Sequence, residues 1–306
     1  MKRALLFSGQ GSQYVGMFKD ISEKFPIAEE LINEADSILG YKLSEICFNG
    51  PVEKLKETRY TQPAIFFHSV LILDLLKNKI EYNATAGHSV GEYAALLASG
   101  VLTFQDALKL VSLRGELMFK AGEEIPGTMF AVINLDDDMV EEVCNKLTGN
   151  ENVVVAANYN SPGQIVVSGS AQYLRDNAFA FKQAGAKLVK ELVVSGAFHS
   201  PLMEPAKKEL ELAINNTVFY NAQVPVYCNV YAKPLTNADE IKDALIKQLT
   251  SPVLWTQTMR QLKEDGFDNF IEVGPGNVLQ GLAKRTVEGV ELSGFDKAED
   301  LAIFGL

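Results

Sequence analysis

One serine, Ser89, stands between two glycines in GHSVG at residues 87–91, just ahead of the alanine-rich run EYAALLASG. A G-x-S-x-G string fits a sharp turn that lifts a serine hydroxyl out at the top of a sheet, where it can attack an acyl carbonyl. A hydroxyl is a weak nucleophile until a base takes its proton, and a tetrahedral intermediate needs donors for its oxyanion. Ser89 therefore requires partners elsewhere in the chain. The string itself does not say whether an acyl group would pass to water or to another acceptor.

The chain has three histidines, at 68, 88 and 199. His68 lies in the apolar string AIFFHSVLIL and reads as core. His88 adjoins Ser89, and on a tight elbow a neighbouring side chain points away and fixes the turn. His199 follows a strand in VVSGAFHSPLM, where Gly196 and Ser200-Pro201 make a turn, so elimination favours it as the base for Ser89. A capping or surface role for His199 is the alternative.

A hydrolase would add an acid between the serine and the histidine. Asp136, Asp137 and Asp138 are the conspicuous cluster there, and capping of a helix start explains them sufficiently. A neutral oxygen could instead orient His199, with less support for the imidazolium. Gln248, near a helix end in IKQLTSP, is such a candidate, which only spatial context can select.

For the oxyanion, the elbow exposes the backbone N–H of Val90, and the glycine turn SGQGSQ at 8–13 offers that of Gln10, a plain turn being the alternative there. That turn lacks both the P-loop and the dinucleotide-binding spacing, so a phosphate cradle is poorly supported. Arg114, in LKLVSLRGELMF, has apolar neighbours. It reads either as a helix-surface arginine or as a guanidinium reaching a crevice, where it would hold a substrate carboxylate in a two-pronged pair.

Several elements must bring these residues together. The run ALLF reads as a buried strand entering the first glycine turn, and YNATAGHS as a strand entering the elbow. Residues 18–39 and TQPAIFFHSVLILDLLK read as helices, the second with Pro63 near its start, and TFQDALKLVSLRGELMFKAG as an amphipathic helix ending toward Gly122. From 125 to 195 the order strand, helix, strand, strand, helix, strand matches a ferredoxin-like unit. The last third alternates again, with VPVYCNV and FDNFIEVGPG as strands. The expected architecture is α/β: a large domain over 1–124 and 196–306, with a small ferredoxin-like domain inserted at 125–195. Parallel strands would collect their turns at one crevice.

Composition narrows the function classes. Acidic residues outnumber basic ones by 39 to 28, a formal net charge of −11, which disfavours nonspecific contact with nucleic acid or an anionic membrane. No apolar run reaches the roughly 18 residues of a membrane span, and MKRALLFSGQGSQ turns too soon for a secretory signal, so a cytoplasmic protein is expected. Cys47, Cys144 and Cys228 have no metal-site spacing.

Read together, FSGQGSQYVGM, TAGHSVGEYAAL, LVSLRGELM, NYNSPGQIVVSG, SGAFHSPLM, IKQLTSPVLW and FIEVGPGNVLQGLAKR run in order from residue 7 to 285. In this series the chain closely resembles malonyl-CoA:acyl carrier protein transacylases. The resemblance implies an α/β-hydrolase-like core with a ferredoxin-like small domain and the site between them. It implies Ser89 as nucleophile, His199 as base, a Gln248 oxygen orienting the imidazole, Gln10 and Val90 amides as oxyanion donors, and Arg114 on the malonyl carboxylate. Phe198 matches the bulky residue that restricts branched extender units.

The implied activity is S-malonyl transfer for fatty acid synthesis, through a malonyl-serine ester. Malonyl-CoA is the donor and the phosphopantetheine thiol of holo acyl carrier protein the acceptor, with no permanently bound cofactor or metal; separately from the resemblance, a monomer is expected. A serine hydrolase, a transacylase for another acyl group and a noncatalytic carrier-binding module are the competing readings. Ser8 stands where the family often has proline, and Val90 where it often has leucine. The second change leaves the amide and alters only pocket shape.

Overall fold

The apolar run that follows Lys2 and Arg3 forms the middle of a sheet covered on both faces. In the computed structural model, which describes residues 2–149 and 151–304, the strands are β1 (Lys2–Phe7), β2 (Ala84–Gly87), β3 (Gly127–Ile133), β4 (Val154–Ser161), β5 (Gln164–Ser170), β6 (Leu188–Glu191), β7 (Val226–Cys228), β8 (Lys233–Leu235), β9 (Phe267–Val273) and β10 (Glu291–Phe295). The outer limits 1 and 306 read from the sequence lie outside the described residues.

The larger sheet runs β10-β9-β1-β2-β7-β8, with every pair parallel except β7 with β8. Alternation along β1 separates two cores: Leu5 and Phe7 join a cluster with Phe18, Ile65 and Val111, whereas Ala4 and Leu6 join one with Trp255, Met259 and Leu282. The carboxyl ends of the parallel strands β1, β2 and β7 open on one side, and Gln10, Ser89 and Asn229, which follow them, belong to the site.

The smaller sheet is antiparallel, in the order β4-β5-β3-β6, and packs on helices Asp137–Leu147 and Ala171–Asn177 through its own cluster of Val132, Val140, Ile165 and Phe181. Asp136 precedes the first of these helices without making a side-chain cap bond. The segment before Trp255 zips this sheet to the larger one: Tyr159 N–H donates to the Val253 carbonyl and Val253 N–H to that of Ala157, both at 2.9 Å. Among the described residues, no helix is long and apolar enough to cross a membrane, and no cluster of His, Cys, Asp and Glu is arranged to hold a metal ion.

Three elements differ from expectation. The helix over 18–39 is two helices, Lys19–Lys24 and Ile27–Leu39, because Phe25, ahead of Pro26, is extended (φ −117°, ψ 105°). The helix predicted around Pro63 begins earlier, at Thr58, and leaves the proline inside it. Gly122 does not end its helix, which runs Phe104–Glu124. Its role is close approach, since a Cβ there would stand 1.7 Å from the Ser195 carbonyl oxygen. The helix carrying Arg114 thereby lies flush against the segment leading to His199.

Candidate active site

β2 ends at Gly87, and the chain turns at Ser89 with φ +52° before entering helix Gly91–Ala98. A serine in the left-handed region is costly and persists only where its surroundings hold it. Both peptide groups of Ser89 are clamped. Its N–H donates to Asn229 Oδ1 at 2.7 Å, and its carbonyl accepts from Gln248 Nε2 at 3.0 Å. Asn229, one residue beyond β7, also donates through Nδ2 to the Gly87 carbonyl at 2.6 Å. Gly91 lets the elbow sit on β1, where a Cβ would fall 2.1 Å from the Phe7 carbonyl oxygen.

Ser89 Oγ lies 2.7 Å from His199 Nε2 and accepts from Arg114 Nη2 at 3.0 Å. His199 Nδ1 faces two carbonyl oxygens, Gln248 O at 3.0 Å and Ser251 O at 3.2 Å. Carbonyls only accept, so the proton sits on Nδ1 and the Nε2 lone pair faces the serine hydroxyl. Gln248 is the last residue of helix Ala238–Gln248, and its carbonyl is among those a helix end leaves free. It is therefore the main-chain oxygen of Gln248 that contacts His199, while its side chain binds Ser89, Arg114 and Glu92.

The His199 backbone is also left-handed, at φ +56°. Ser168 Oγ on β5 donates to the Phe198 carbonyl, and Ser200 Oγ to that of Ala197, both at 2.6 Å. Phe198 itself is buried in the large core beside Met203.

Burial, with the Arg114 charge second, depresses the His199 pKa to about 3. The imidazole is thus neutral above about pH 3 and charged only below it, so a base role does not switch off at histidine's ordinary 6.5. Acyl-enzyme formation is expected to show no tenfold-per-unit fall between pH 6.5 and 5, as checked by quenched-flow mass spectrometry. A steep acidic limb near 6.5 would contradict this.

Arg114 is fully buried. Besides Ser89 it donates through Nη1 to Gln62 Oε1 at 2.7 Å and through Nη2 to Gln248 Oε1 at 3.0 Å, and it lies over the Tyr93 ring. Its Nε has no hydrogen-bond partner among the described residues. The surface-helix alternative for this residue is excluded by its burial.

The first glycine turn abuts the elbow, for a Cβ on Gly9 would stand 2.6 Å from the His88 carbonyl oxygen. Neither the Gln10 nor the Val90 N–H donates to an acceptor among the described residues. The Gln10 side chain reaches Thr58 Oγ1 at 3.4 Å.

The other two histidines lie apart from the serine hydroxyl. His88 Nε2 meets Asn160 Oδ1 at 2.8 Å and its ring is edge-on to Trp255; His68 is buried with Nε2 2.7 Å from the Asp296 carbonyl oxygen.

Sequence reasoning missed Asn229, Glu92 and Gln62. Asn229 follows the strand string VYC directly, and Glu92 lies in the first turn of the elbow helix, three residues past Ser89. Those positions were the available signals.

An acyl transferase domain model matches residues 4–305. The malonyl CoA-acyl carrier protein transacylase of Haemophilus influenzae is 44% identical over 289 residues, spanning 94% of this chain and 92% of that protein. Among solved structures, an acyl carrier protein S-malonyltransferase from Vibrio cholerae superposes with a TM-score of 0.94 at 40% identity, covering 99% of this chain and 100% of that one. A malonyl-transacylase in complex with its type II PKS acyl-carrier protein also superposes at 0.94, with 38% identity and coverage of 99% and 98%.

Proposed function

The chain belongs to the malonyl-CoA:acyl carrier protein transacylase family, and from that premise we propose which of its residues carry the reaction. The enzyme transfers the malonyl group of malonyl-CoA, through a covalent intermediate, to acyl carrier protein. In the proposed assignment, Ser89 Oγ attacks the thioester carbonyl while His199 Nε2 takes its proton. The N–H groups of Gln10 and Val90 receive the oxyanion, and their lack of protein acceptors supports this role. Collapse breaks the C–S bond, the imidazolium returns its proton to the departing coenzyme A sulfur, and a malonyl-serine ester remains.

The phosphopantetheine thiol then enters. His199 accepts its proton as sulfur attacks the ester, and collapse frees Ser89, which takes the proton back. The Gln248 carbonyl steadies the imidazolium, Arg114 pairs with the malonyl carboxylate, and Phe198 restricts bulk beside it.

One observation carries the assignment: a neutral base and a buried guanidinium converge on the same hydroxyl, at 2.7 and 3.0 Å. A cation placed there selects an acyl group that brings its own negative charge.

The same proposal includes the large domain over 1–124 and 196–306 as an α/β-hydrolase-like unit and a ferredoxin-like domain at 125–195. The antiparallel order β4-β5-β3-β6, with a helix after the first and third of its strands in chain order, supports the latter. A cytoplasmic, monomeric enzyme is part of the reading as well.

The test is to expose the protein to malonyl-CoA, detect one added malonyl group by intact mass, and add holo acyl carrier protein to the same sample. Discharge to the carrier thiol is expected. Loss to water at the same rate without a carrier would indicate a hydrolase, and absence of any adduct would overturn the assignment.

A further inference from the structure

Arg114 is a fully buried cation, and no carboxylate lies within ion-pair distance of it among the described residues. Uncompensated burial of a charge is expensive. The nearest compensation runs through an amide. Gln248 Oε1 accepts from Arg114 Nη2 at 3.0 Å, and Gln248 Nε2 donates to Glu92 Oε2 at 2.7 Å. The amide dipole is thus oriented with oxygen toward the cation and nitrogen toward the carboxyl. Glu92 is 1% exposed, and the same Oε2 accepts from Asn229 N at 3.3 Å. Both residues that clamp the Ser89 backbone are therefore in contact with this one carboxyl, Gln248 through its side-chain amide and Asn229 through its main-chain N–H.

We propose that Glu92 is a positioning residue for malonyl selection: its charge, relayed to Arg114 by the Gln248 amide, counters the guanidinium in the empty site and tempers its grip on the incoming carboxylate. This rests on the reading of Arg114 as the malonyl-binding residue. Such tempering would serve the reaction, because the malonyl group must leave on the carrier after arriving from coenzyme A. Binding energy spent equally on bound states and transition state does not speed the turnover.

The groups facing Glu92 leave it free to titrate near neutrality. Burial pushes its pKa up to about 7, against the lowering influence of Gln248, Asn229, Cys228 and Arg114. Cys228 on β7 and Tyr93 on its own helix are both driven upward by burial and stay neutral in this range. Above about pH 7 Glu92 is charged and opposes Arg114; below it the carboxyl is neutral and the opposition is lost.

The experiment measures kcat/KM for acyl-enzyme formation from malonyl-CoA and acetyl-CoA between pH 6 and 8, in the native enzyme, Glu92→Gln and Arg114→Ala. Their ratio cancels the titration of coenzyme A and of His199, which both donors share. The malonyl-to-acetyl ratio of the native enzyme is expected to fall about fivefold from pH 6 to pH 8, from one charge acting at amide-bridged range. In Glu92→Gln, which keeps an acceptor oxygen for Gln248 and Asn229, the ratio is expected to be flat and at pH 8 to exceed the native value by about the same factor.

A native ratio that does not change with pH overturns the inference, and so does an equal loss with both donors in Glu92→Gln. If that variant does not fold, the native pH series alone decides. Arg114→Ala separates the two levels: a ratio preserved in that variant sinks the carboxylate reading itself, whereas a collapsed ratio beside a pH-independent native one sinks only the role of Glu92.

Discussion

Ser89→Ala eliminates the malonyl adduct and lowers transfer to acyl carrier protein by at least about a thousandfold, the scale on which loss of a nucleophile acts. The substitution removes one oxygen and little else. Asn229 and Gln248 hold Ser89 by its main-chain N–H and carbonyl, so the elbow keeps its support in the variant. His199 likewise keeps both carbonyl contacts at Nδ1. Intact-mass analysis after malonyl-CoA exposure reads the result directly, and a thermal melt near the native one confirms that folding is not the cause. Labelling at an undiminished rate would end the nucleophile assignment. Residual transfer without a detectable adduct would point instead to direct attack by the carrier thiol.

Arg114→Ala is the second large effect. It is expected to lower kcat/KM for malonyl-CoA by about a hundredfold or more, the cost of losing one member of a buried charge-assisted pair. Acetyl-CoA, which has no terminal carboxylate, should lose far less. Some loss with acetyl-CoA is still expected, because Gln62 Oε1 and Gln248 Oε1 both forfeit the donor they accept from. Arg114→Lys should not restore the selectivity, since one ammonium cannot reproduce the fork that serves Gln62 on one nitrogen and Ser89 and Gln248 on the other. Equal losses with the two thioesters would remove Arg114 from the selectivity argument.

The parts of this site that sequence reading reaches are those with local signals. Glycines around Ser89 and Gln10 mark turns, apolar runs mark the strands entering them, and three histidines can be sorted by their neighbours. The small sheet follows the expected strand and helix order because each of its elements is short and separately punctuated. Contacts between distant segments leave no such trace. Asn229 looks like any residue after a strand, and its worth comes from lying beside an elbow 140 positions earlier.

Glu92 reads as an acidic residue in the first turn of a helix, where it needs no further explanation. A Gln248 oxygen was expected near His199, but only the helix end decides that the carbonyl faces the imidazole while the side chain works elsewhere. Gly122 illustrates the converse error: its residue type suggested a stop, whereas the reason for it is the carbonyl of Ser195 lying against the helix.

The anchoring of His199 has a mechanical consequence. Its loop is tied on one side to β5 of the small sheet through Ser168 and the Phe198 carbonyl, and its ring on the other to the carbonyls of Gln248 and Ser251. The histidine is thus a gauge spanning the seam between two sheets, whereas the Ser89 main chain is held by Asn229 and Gln248, on the side of the larger one. A shear of about 1 Å along that seam would stretch a 2.7 Å hydrogen bond beyond useful length. The zipper of Val253 with Ala157 and Tyr159 therefore has a task beyond cohesion: it keeps the base in calibration with its nucleophile.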